Sequence, residues 1–340
     1  MQYLDLKGKE YTKIIIDINM KDAIGYFLGY IKRIFEYKAY RLKKGKYPFP
    51  TMFQIQTINT CNGSCLMCPN SKKNNQKVIK MSDELFNKIT DEIIKKAKYS
   101  YVFLFLQNEP LMDDEIFGKI RKIKEKAKKK VFIGLISNGS LINDKKIKEL
   151  EGSKIDTFSV SLDAINEETY KKIRQGLDYN QILKNIDKVI DSDYNKYFSV
   201  GFVIQKDNID EFTEFKKFWR EKGLSFNIQD LSNRTGDLDN YQEIIQKEKD
   251  APLLEKLKIL IFKKIIRFCP TPFTNFNILS NGDVILCCDD YDKKEIMGNV
   301  KDSSIEEIWN SNRYNTIREQ IYKKEFHKVP TCKNCSFNKK

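Results

Sequence analysis

The sequence contains a single histidine, His327, among its 340 residues, so a histidine-rich metal site is excluded. It also has no run of 18 apolar residues, which predicts no membrane-spanning helix. The first residues, QYLDLKGKEY, are polar and charged where a signal peptide would place an apolar segment. We therefore expect a cytoplasmic protein, in which clustered cysteines indicate metal binding or catalysis more often than disulfides.

Acidic residues are fewer than basic ones: the sequence has 47 Asp and Glu against 61 Lys and Arg, which gives a net charge of +14. A positive surface is one way to attract nucleic acid or anionic lipid. Here, however, the lysines are spread along predicted helices and mixed with acids, which is typical of a solvated surface. No added RNA-binding module is visible, so we expect no nucleic-acid partner.

Short apolar segments alternate with helical patterns from residue 52 onward, which predicts an α/β fold with a parallel sheet. The predicted strands are 52–58, 101–107, 131–136, 156–162, 198–204 and 224–230. The predicted helices are 83–97, 113–129, 143–150, 167–192 with a break near Gly176, and 209–222. Six such units make a partial (β/α)6 barrel, a fold in which chemistry takes place at the carboxyl ends of the strands.

The segments outside this alternation suggest four regions. An amphipathic helix over 20–44 could lie on a membrane surface, but we expect it to pack on the protein itself. Near the C-terminus, Ser303 and Glu306 predict a capping box that opens a helix over 304–323. The predicted regions are an N-terminal helical extension (1–48), the barrel (49–230), a linker and helix (231–268, the helix over 252–268) and a small α+β domain (269–340).

Three cysteines stand close together in CNGSCLMC, directly after the first predicted strand: Cys61, Cys65 and Cys68. A structural zinc site needs four protein ligands, and the nearby sequence offers no fourth cysteine or histidine. A four-iron cluster held by three cysteines instead leaves one iron open to a cofactor. The spacing therefore favours an open iron–sulfur cluster.

This cysteine motif after the first strand of a β/α barrel resembles the signature of the radical S-adenosylmethionine (radical SAM) superfamily. The turn Gln107-Asn108-Glu109-Pro110 is similar to the Gly-Gly-Glu-Pro motif of that family, with both glycines replaced. Each short piece alone has an ordinary explanation as a turn, a cap or a surface charge. Together, the resemblance implies SAM contacts from Gln107, Asn108, Glu109, Ser137, Asn138, Ser161, Arg174 and Met67.

The other cysteines come after residue 268, and their segment resembles the start of a SPASM domain. Because the chain ends soon afterwards, it is similar to the shortened Twitch form, which implies one auxiliary four-iron cluster held by Cys269, Cys287, Cys332 and Cys335. A zinc ion held by the same thiolates is the alternative. Cys288 is left over, either as a hydrogen-atom donor to a substrate radical or, as we prefer, as a small buried apolar residue.

The resemblance implies a radical SAM oxidoreductase of the dehydrogenase or epimerase type, with SAM and two four-iron clusters as cofactors. We expect a polar small-molecule substrate such as a sugar, cyclitol or nucleoside-like compound, and an electron donor of the flavodoxin or ferredoxin type. Two alternatives stay open. One is modification of a ribosomal peptide or protein, and the other is a non-catalytic iron–sulfur or zinc protein.

Overall fold

A computed structural model of the chain describes residues 46–73, 77–127, 129–245 and 269–338. The predicted helices over 20–44 and 252–268 lie outside these residues. Within the described part of the chain, no helix combines the length and the apolar character needed to cross a membrane.

Nine strands form one sheet in the order β6-β5-β4-β3-β2-β1-β7-β8-β9. The pairs from β6 to β7 are parallel, whereas β8 and β9 are antiparallel additions at the far edge. The predicted α/β class and six-stranded parallel barrel sheet are confirmed. The strands are Met52–Ile55 (β1), Ser100–Phe103 (β2), Val131–Ser137 (β3), Thr157–Ser161 (β4), Phe198–Ile204 (β5), Ser225–Asp230 (β6), Asn275–Ile278 (β7), Asp283–Ile285 (β8) and Ile296–Asn299 (β9).

Helices follow each of the first five strands, as the sequence predicts. These are Asp83–Lys96 (α1), Ile116–Ala127 (α2), Asp144–Ser153 (α3), Glu167–Ile173 (α4), Tyr179–Ile190 (α5) and Phe212–Glu221 (α6). The later helices are Tyr241–Ile244 (α7), Thr271–Thr274 (α8), Ile305–Trp309 (α9), Asn312–Tyr322 (α10) and Pro330–Lys333 (α11). The break predicted near Gly176 is confirmed, because α4 ends at Ile173 and Gly176 has a φ of 79°.

Helix α5 shows why these segments are helical and where they pack. Asp178 caps its first turn by accepting a hydrogen bond from the amide of Gln181, which satisfies a donor that would otherwise lack a partner. Ile182, Ile186 and Val189 follow at helical spacing, and all three are buried in the main core. Burying a side chain of this size stabilises the fold by about 1.5–3 kcal/mol.

The C-terminal region continues the barrel sheet. Strand β7 pairs in parallel with β1, from Met52 opposite Asn275 to Ile55 opposite Ile278. Phe276 of β7 then packs against Trp309, with their rings 6.0 Å apart. This pairing makes the C-terminal region continuous with the barrel sheet.

The helix predicted over 304–323 is wrong in one respect, because it is two helices, α9 and α10. Ser311 starts the second by capping the amide of Tyr314. The capping box also lies one residue later than predicted. Ser304 and Glu307 form it, whereas the predicted partner Glu306 forms an ion pair with Lys96.

Candidate active site

A cavity of about 360 Å³ opens at the carboxyl ends of the parallel strands. The residues predicted to hold the SAM-binding cluster and SAM all line it, although they come from separate parts of the sequence. They are Cys61, Cys65, Met67, Cys68, Gln107, Asn108, Glu109, Ser137, Asn138, Ser161 and Arg174, and Cys288 joins them. Their roles as ligands stay predictions, but the fold brings them to one place.

The loop that carries the first three cysteines is fixed by backbone hydrogen bonds to the end of α4. The amide of Ser64 donates to the carbonyl of Gln175 (2.8 Å), and that of Leu66 donates to the carbonyl of Ile173 (2.9 Å). Within the loop, the amide of Cys68 donates to the carbonyl of Cys65 at 3.0 Å. The three thiols are therefore held against the rim of the cavity by backbone contacts.

Burial makes two of these thiols, Cys61 and Cys65, hard to ionise in the absence of a cation. It raises the pKa of Cys61 to about 12 and also raises the pKa of Cys65. Arg174 opposes the shift at Cys65, because its guanidinium lies 3.9 Å from the Cys65 sulfur. Thiolates are the form that binds iron, so a bound cluster would supply the positive charge that favours ionisation. The three-thiol set and its adjoining cavity fit an open iron–sulfur cluster.

Glu109 is buried at the centre of the loops that follow β2 and β3. Its carboxylate accepts hydrogen bonds from the Ser137 hydroxyl (2.7 Å), the Asn138 amide (2.7 Å) and the Leu111 amide (2.9 Å). Burial nevertheless raises the pKa of this carboxyl above its usual value. Glu109 therefore braces the wall of the cavity, and its predicted contact with SAM would be in addition to these three bonds.

Two asparagines extend this wall. The Asn138 side chain donates to the side-chain oxygen of Asn62 in the cysteine loop at 2.8 Å, which links that loop to the end of β3. The Asn108 side-chain oxygen accepts from the amide of Leu106 at 2.8 Å. Among the described residues, the buried amide nitrogen of Asn108 has no hydrogen-bond partner. Asn108 therefore keeps one unsatisfied donor next to the cavity.

Arg174 forms a buried ion pair with Asp163, a residue that the sequence analysis did not select. Two guanidinium nitrogens lie 2.7 and 2.5 Å from one oxygen of Asp163. The other carboxylate oxygen accepts from the amide of Val203 at 2.7 Å. Burial alone would lower the pKa of Arg174, but the attraction of Asp163 raises it overall. Arg174 is thus already paired in this structure, and its predicted contact with the SAM carboxylate stays a prediction.

The C-terminal segment forms the opposite wall of the cavity with Cys288, Asp289 and Tyr291. Arg234, after β6, forms an ion pair with Asp289 at 2.6 Å. The Tyr291 hydroxyl lies 3.7 Å from the sulfur of Cys68. Asp289 and Tyr291 are not among the site residues predicted from the sequence, because no local motif marks them.

The second set of thiols comes from three separate segments. Electrostatic interactions link the four thiols. Cys332 interacts with Cys269 and Cys335, and Cys269 also interacts with Cys287 and Cys335, so the four side chains lie near one another. Burial is the main cause that raises the pKa of Cys335 to about 11. In the described ranges, no three Cys, His, Asp or Glu side chains converge closely enough to hold a single ion. A set of four thiols is the ligand set of a closed four-iron cluster.

Comparison with known families agrees with both cysteine sets. The sequence model of the Radical SAM superfamily matches residues 55–218, and that of the SPASM iron–sulfur cluster-binding domain matches residues 269–336. Residues 55–218 form a radical SAM domain, and a SPASM-type domain follows it. This radical SAM enzyme uses SAM and a four-iron cluster, and its SPASM-type region is an auxiliary iron–sulfur domain. The family and cofactors predicted from the sequence are confirmed.

Similar proteins share the fold but differ in what their names say they act on. The 2-deoxy-scyllo-inosamine dehydrogenase of Niallia circulans is 20% identical over 290 residues, which cover 84% of this chain and 92% of that protein. The crystal structure of BtrN with AdoMet and 2-DOIA is 18% identical with a TM-score of 0.57 (84% and 92% of the chains). Streptococcus suis SuiB bound to precursor peptide SuiA is 16% identical with a TM-score of 0.62 (84% and 70%).

Proposed function

We propose that this radical SAM enzyme abstracts hydrogen from a C–H bond of a polar small molecule, such as a sugar, cyclitol or nucleoside-like compound, and oxidises or epimerises it. The observation that carries the proposal is the shared cavity: the thiols predicted to hold the first cluster and the C-terminal wall line the same space. A substrate in that space would lie between the SAM-binding loops and the segment that follows Cys287.

The polar atoms of the cavity support a polar ligand. Within the described part of the chain, three buried atoms of lining residues have no hydrogen-bond partner: the side-chain oxygen of Gln54, the amide nitrogen of Asn108 and Nε of Arg234. Buried polar groups are rarely left without a partner, because each costs about 1–3 kcal/mol. One acceptor and two donors therefore await a ligand that offers both kinds of group, as a hydroxylated compound does.

The charges of the cavity support a ligand without a strong net charge. Arg174 is paired with Asp163, and Arg234 with Asp289. Both guanidinium groups are thus compensated by the protein itself. Asn227 and Gln229 of β6 add neutral polar groups to the same wall. An anionic substrate would have to compete with these carboxylates, whereas hydroxyl groups can share the existing hydrogen bonds.

We assign the first cluster to Cys61, Cys65 and Cys68, and the auxiliary cluster to Cys269, Cys287, Cys332 and Cys335. When bound, these groups would supply one-electron redox chemistry, for the cleavage of SAM and for the uptake of an electron from the substrate. Glu109 and Asn138 hold the loops that would surround SAM, and Met67 closes that side with apolar surface. By enclosing the substrate, the cavity walls keep water away from a reactive radical. A flavodoxin- or ferredoxin-type protein in the cytoplasm would supply the first electron.

Experiments on Cys288 would distinguish oxidation from epimerisation. It lines the cavity and packs on the small apolar cluster that contains Leu106, Leu279 and Ile285. If the reaction is an epimerisation, the Cys288 thiol can return a hydrogen atom to the substrate radical. The resulting thiyl radical would regain the thiol by taking one electron from the flavodoxin- or ferredoxin-type donor and one proton from water. Product formed in D2O would then carry deuterium at the inverted carbon. If the reaction is an oxidation, Cys288→Ala would leave product formation intact and no deuterium would enter from the thiol.

The deciding assay uses the anaerobically reconstituted enzyme with SAM, dithionite and a panel of polyols, aminocyclitols and nucleosides. One 5′-deoxyadenosine and one methionine are expected for each product. Many turnovers per SAM, with almost no deoxyadenosine accumulating, would refute the proposal, because SAM would then be a recycled cofactor.

A second candidate function is modification of a ribosomal peptide. Its support is the shared fold with SuiB bound to a precursor peptide. The same assay with a peptide panel separates the two candidates, since only the substrate class that is consumed should raise the rate of deoxyadenosine formation.

A further inference from the structure

Gln107 has a backbone conformation that glutamine rarely adopts. Its φ is 56°, in the left-handed region that favours glycine. It also stands where the resemblance to the family motif implies a glycine. A strained residue persists only where its surroundings hold it in place, so the contacts of Gln107 are informative.

Those contacts cross the cavity from the SAM-binding side to the C-terminal wall. The Gln107 side-chain amide donates to the carbonyl of Cys288 at 2.9 Å and to that of Asp290 at 3.0 Å. An amide carries two N–H groups, so it can supply both bonds. The Gln107 carbonyl in turn accepts from the side chain of Asn70, beside the cysteine loop, at 2.6 Å. A glycine at this position could make only the last of these bonds.

The carbonyls that Gln107 binds belong to a segment fixed to the second thiol set. Cys288 follows Cys287 directly in the chain. The buried Asp290 side chain accepts from the Thr331 hydroxyl at 2.8 Å, and Thr331 precedes Cys332. We call the two side-chain bonds from Gln107 to residues 288 and 290 the Gln107 bridge. The bridge reaches a segment that adjoins Cys287 and that Asp290 links to the residue before Cys332. Both cysteines are predicted ligands of the auxiliary cluster.

We propose that Gln107 is a positioning residue that couples the SAM-binding loop, residues 106–110, to the C-terminal cavity wall, residues 287–295. When SAM binds and orders this loop, the cavity wall becomes ordered as well. The wall that would contact the substrate is therefore in place when SAM is bound. The proposal requires only SAM binding and holds for either substrate class.

The test is anaerobic amide hydrogen exchange of the reconstituted enzyme with and without SAM. In the wild type, SAM is expected to slow exchange in both 106–110 and 287–295. Gln107→Glu keeps the shape of the side chain but, when ionised, removes both donors and turns a carboxylate towards two carbonyls. Gln107→Gly removes the side chain and suits the left-handed backbone. In both variants we expect the response of 106–110 to remain and that of 287–295 to disappear.

The matched control is Gln181→Ala, because Gln181 is an exposed glutamine whose amide contacts only Asn185 of its own helix among the described bonds. In the Gln181→Ala variant, SAM should slow amide exchange in both 106–110 and 287–295, as in the wild type. The EPR response of the first cluster to SAM confirms binding in every sample. The proposal is overturned if 287–295 responds in Gln107→Gly as in the wild type, or if it never responds in the wild type. Loss of SAM binding in Gln107→Gly also overturns it, since the Gln107 side chain would then serve SAM itself. The SAM contact that the resemblance implies at this turn can be made by the backbone, which glycine keeps. Should Gln107→Glu fail to fold, Gln107→Gly alone decides.

Discussion

The two thiol sets differ in how the chain assembles them. Cys61, Cys65 and Cys68 lie within one short loop, so local sequence places them together. The second set spans residues 269–335 and comes together only because β7 pairs with β1 and the helices after β9 fold back. The first site can therefore be read from spacing alone, whereas the second depends on long-range packing.

The sets also differ in their charged neighbours. Arg174 lies beside Cys65 and favours its thiolate. The charged groups that act most on Cys332 are all acidic, namely Cys269, Cys335, Glu295 and Asp290. Arg174 thus gives Cys65 a cationic neighbour, whereas the charges that act on Cys61 are acidic, as they are at Cys332.

The largest expected effect comes from removing one ligand from each set. Cys65→Ser should lose the first cluster and all SAM-dependent deoxyadenosine, whereas Cys335→Ser should lose only the auxiliary cluster and still form deoxyadenosine. In each variant, iron should fall from about eight to about four atoms per chain. Iron and sulfide analysis with chromatography of the nucleoside products measures both. Cys288→Ala is the matched control and should keep both clusters. Loss of deoxyadenosine in Cys335→Ser with the first cluster intact would contradict the assignment.

The second largest effect concerns the ion pair beside the first thiol set. Asp163→Asn leaves the buried Arg174 without its counter-charge, because the two side chains are 0% and 10% exposed. We expect a loss of about 3 kcal/mol in the free energy of unfolding, measured by urea denaturation under anaerobic conditions. A change below about 1 kcal/mol would mean that water or another group already compensates Arg174.

Glu109 gives a pH-dependent effect at the first site. Glu109→Gln mimics the protonated carboxyl, since both carry one acceptor oxygen and one donor, so at low pH its stability should lie within about 1 kcal/mol of that of the wild type. Because burial raises the pKa of Glu109, the folded wild type binds this proton more tightly than the unfolded chain does. Stability from Glu109 is therefore fully present below its ordinary pKa and is lost as pH rises through the raised value.

Glu109→Gln cannot titrate at this position, so the stability of the wild type relative to the variant should fall as pH rises from the ordinary glutamate pKa upward. Urea denaturation at a series of pH values measures that difference. A difference that stays constant over this range would show that Glu109 has no raised pKa in the folded protein.

The smallest effect concerns the ion pair of the C-terminal wall. Arg234 and Asp289 are 26% and 22% exposed, so water already screens them. Asp289→Asn should cost only about 1 kcal/mol of stability, less than Asp163→Asn. It should weaken substrate binding more than SAM binding, which titration of the reconstituted enzyme can separate. An equal loss of stability in Asp163→Asn and Asp289→Asn would show that the difference in exposure does not make one ion pair more important than the other.

Local patterns in the sequence predict the barrel well. Apolar runs give the six parallel strands, and Gly176 gives the break between α4 and α5. The capping box was ambiguous, because both Ser303 and Ser304 stand three residues before a glutamate. Tertiary contact decides between them, since Glu306 pairs with Lys96 of α1 and leaves Glu307 to complete the box.

Long-range contacts explain what the sequence did not reveal. The four-residue strand β7 has too little local pattern to announce its pairing with β1. Asp163 could have been found, because a buried arginine such as Arg174 requires a carboxylate and Asp163 follows β4 directly. Tyr291 and the bridge from Gln107 carry no local signal, since their partners are more than 180 residues away in the chain.

The central claim is that three cysteines hold a four-iron cluster beside a cavity that receives SAM. The most direct test is the EPR spectrum of the anaerobically reconstituted and reduced enzyme before and after addition of SAM. We predict that the spectrum changes with SAM in the wild type and in Cys335→Ser, and that the SAM-responsive signal is missing in Cys65→Ser. A spectrum of the wild type that does not respond to SAM would contradict the account.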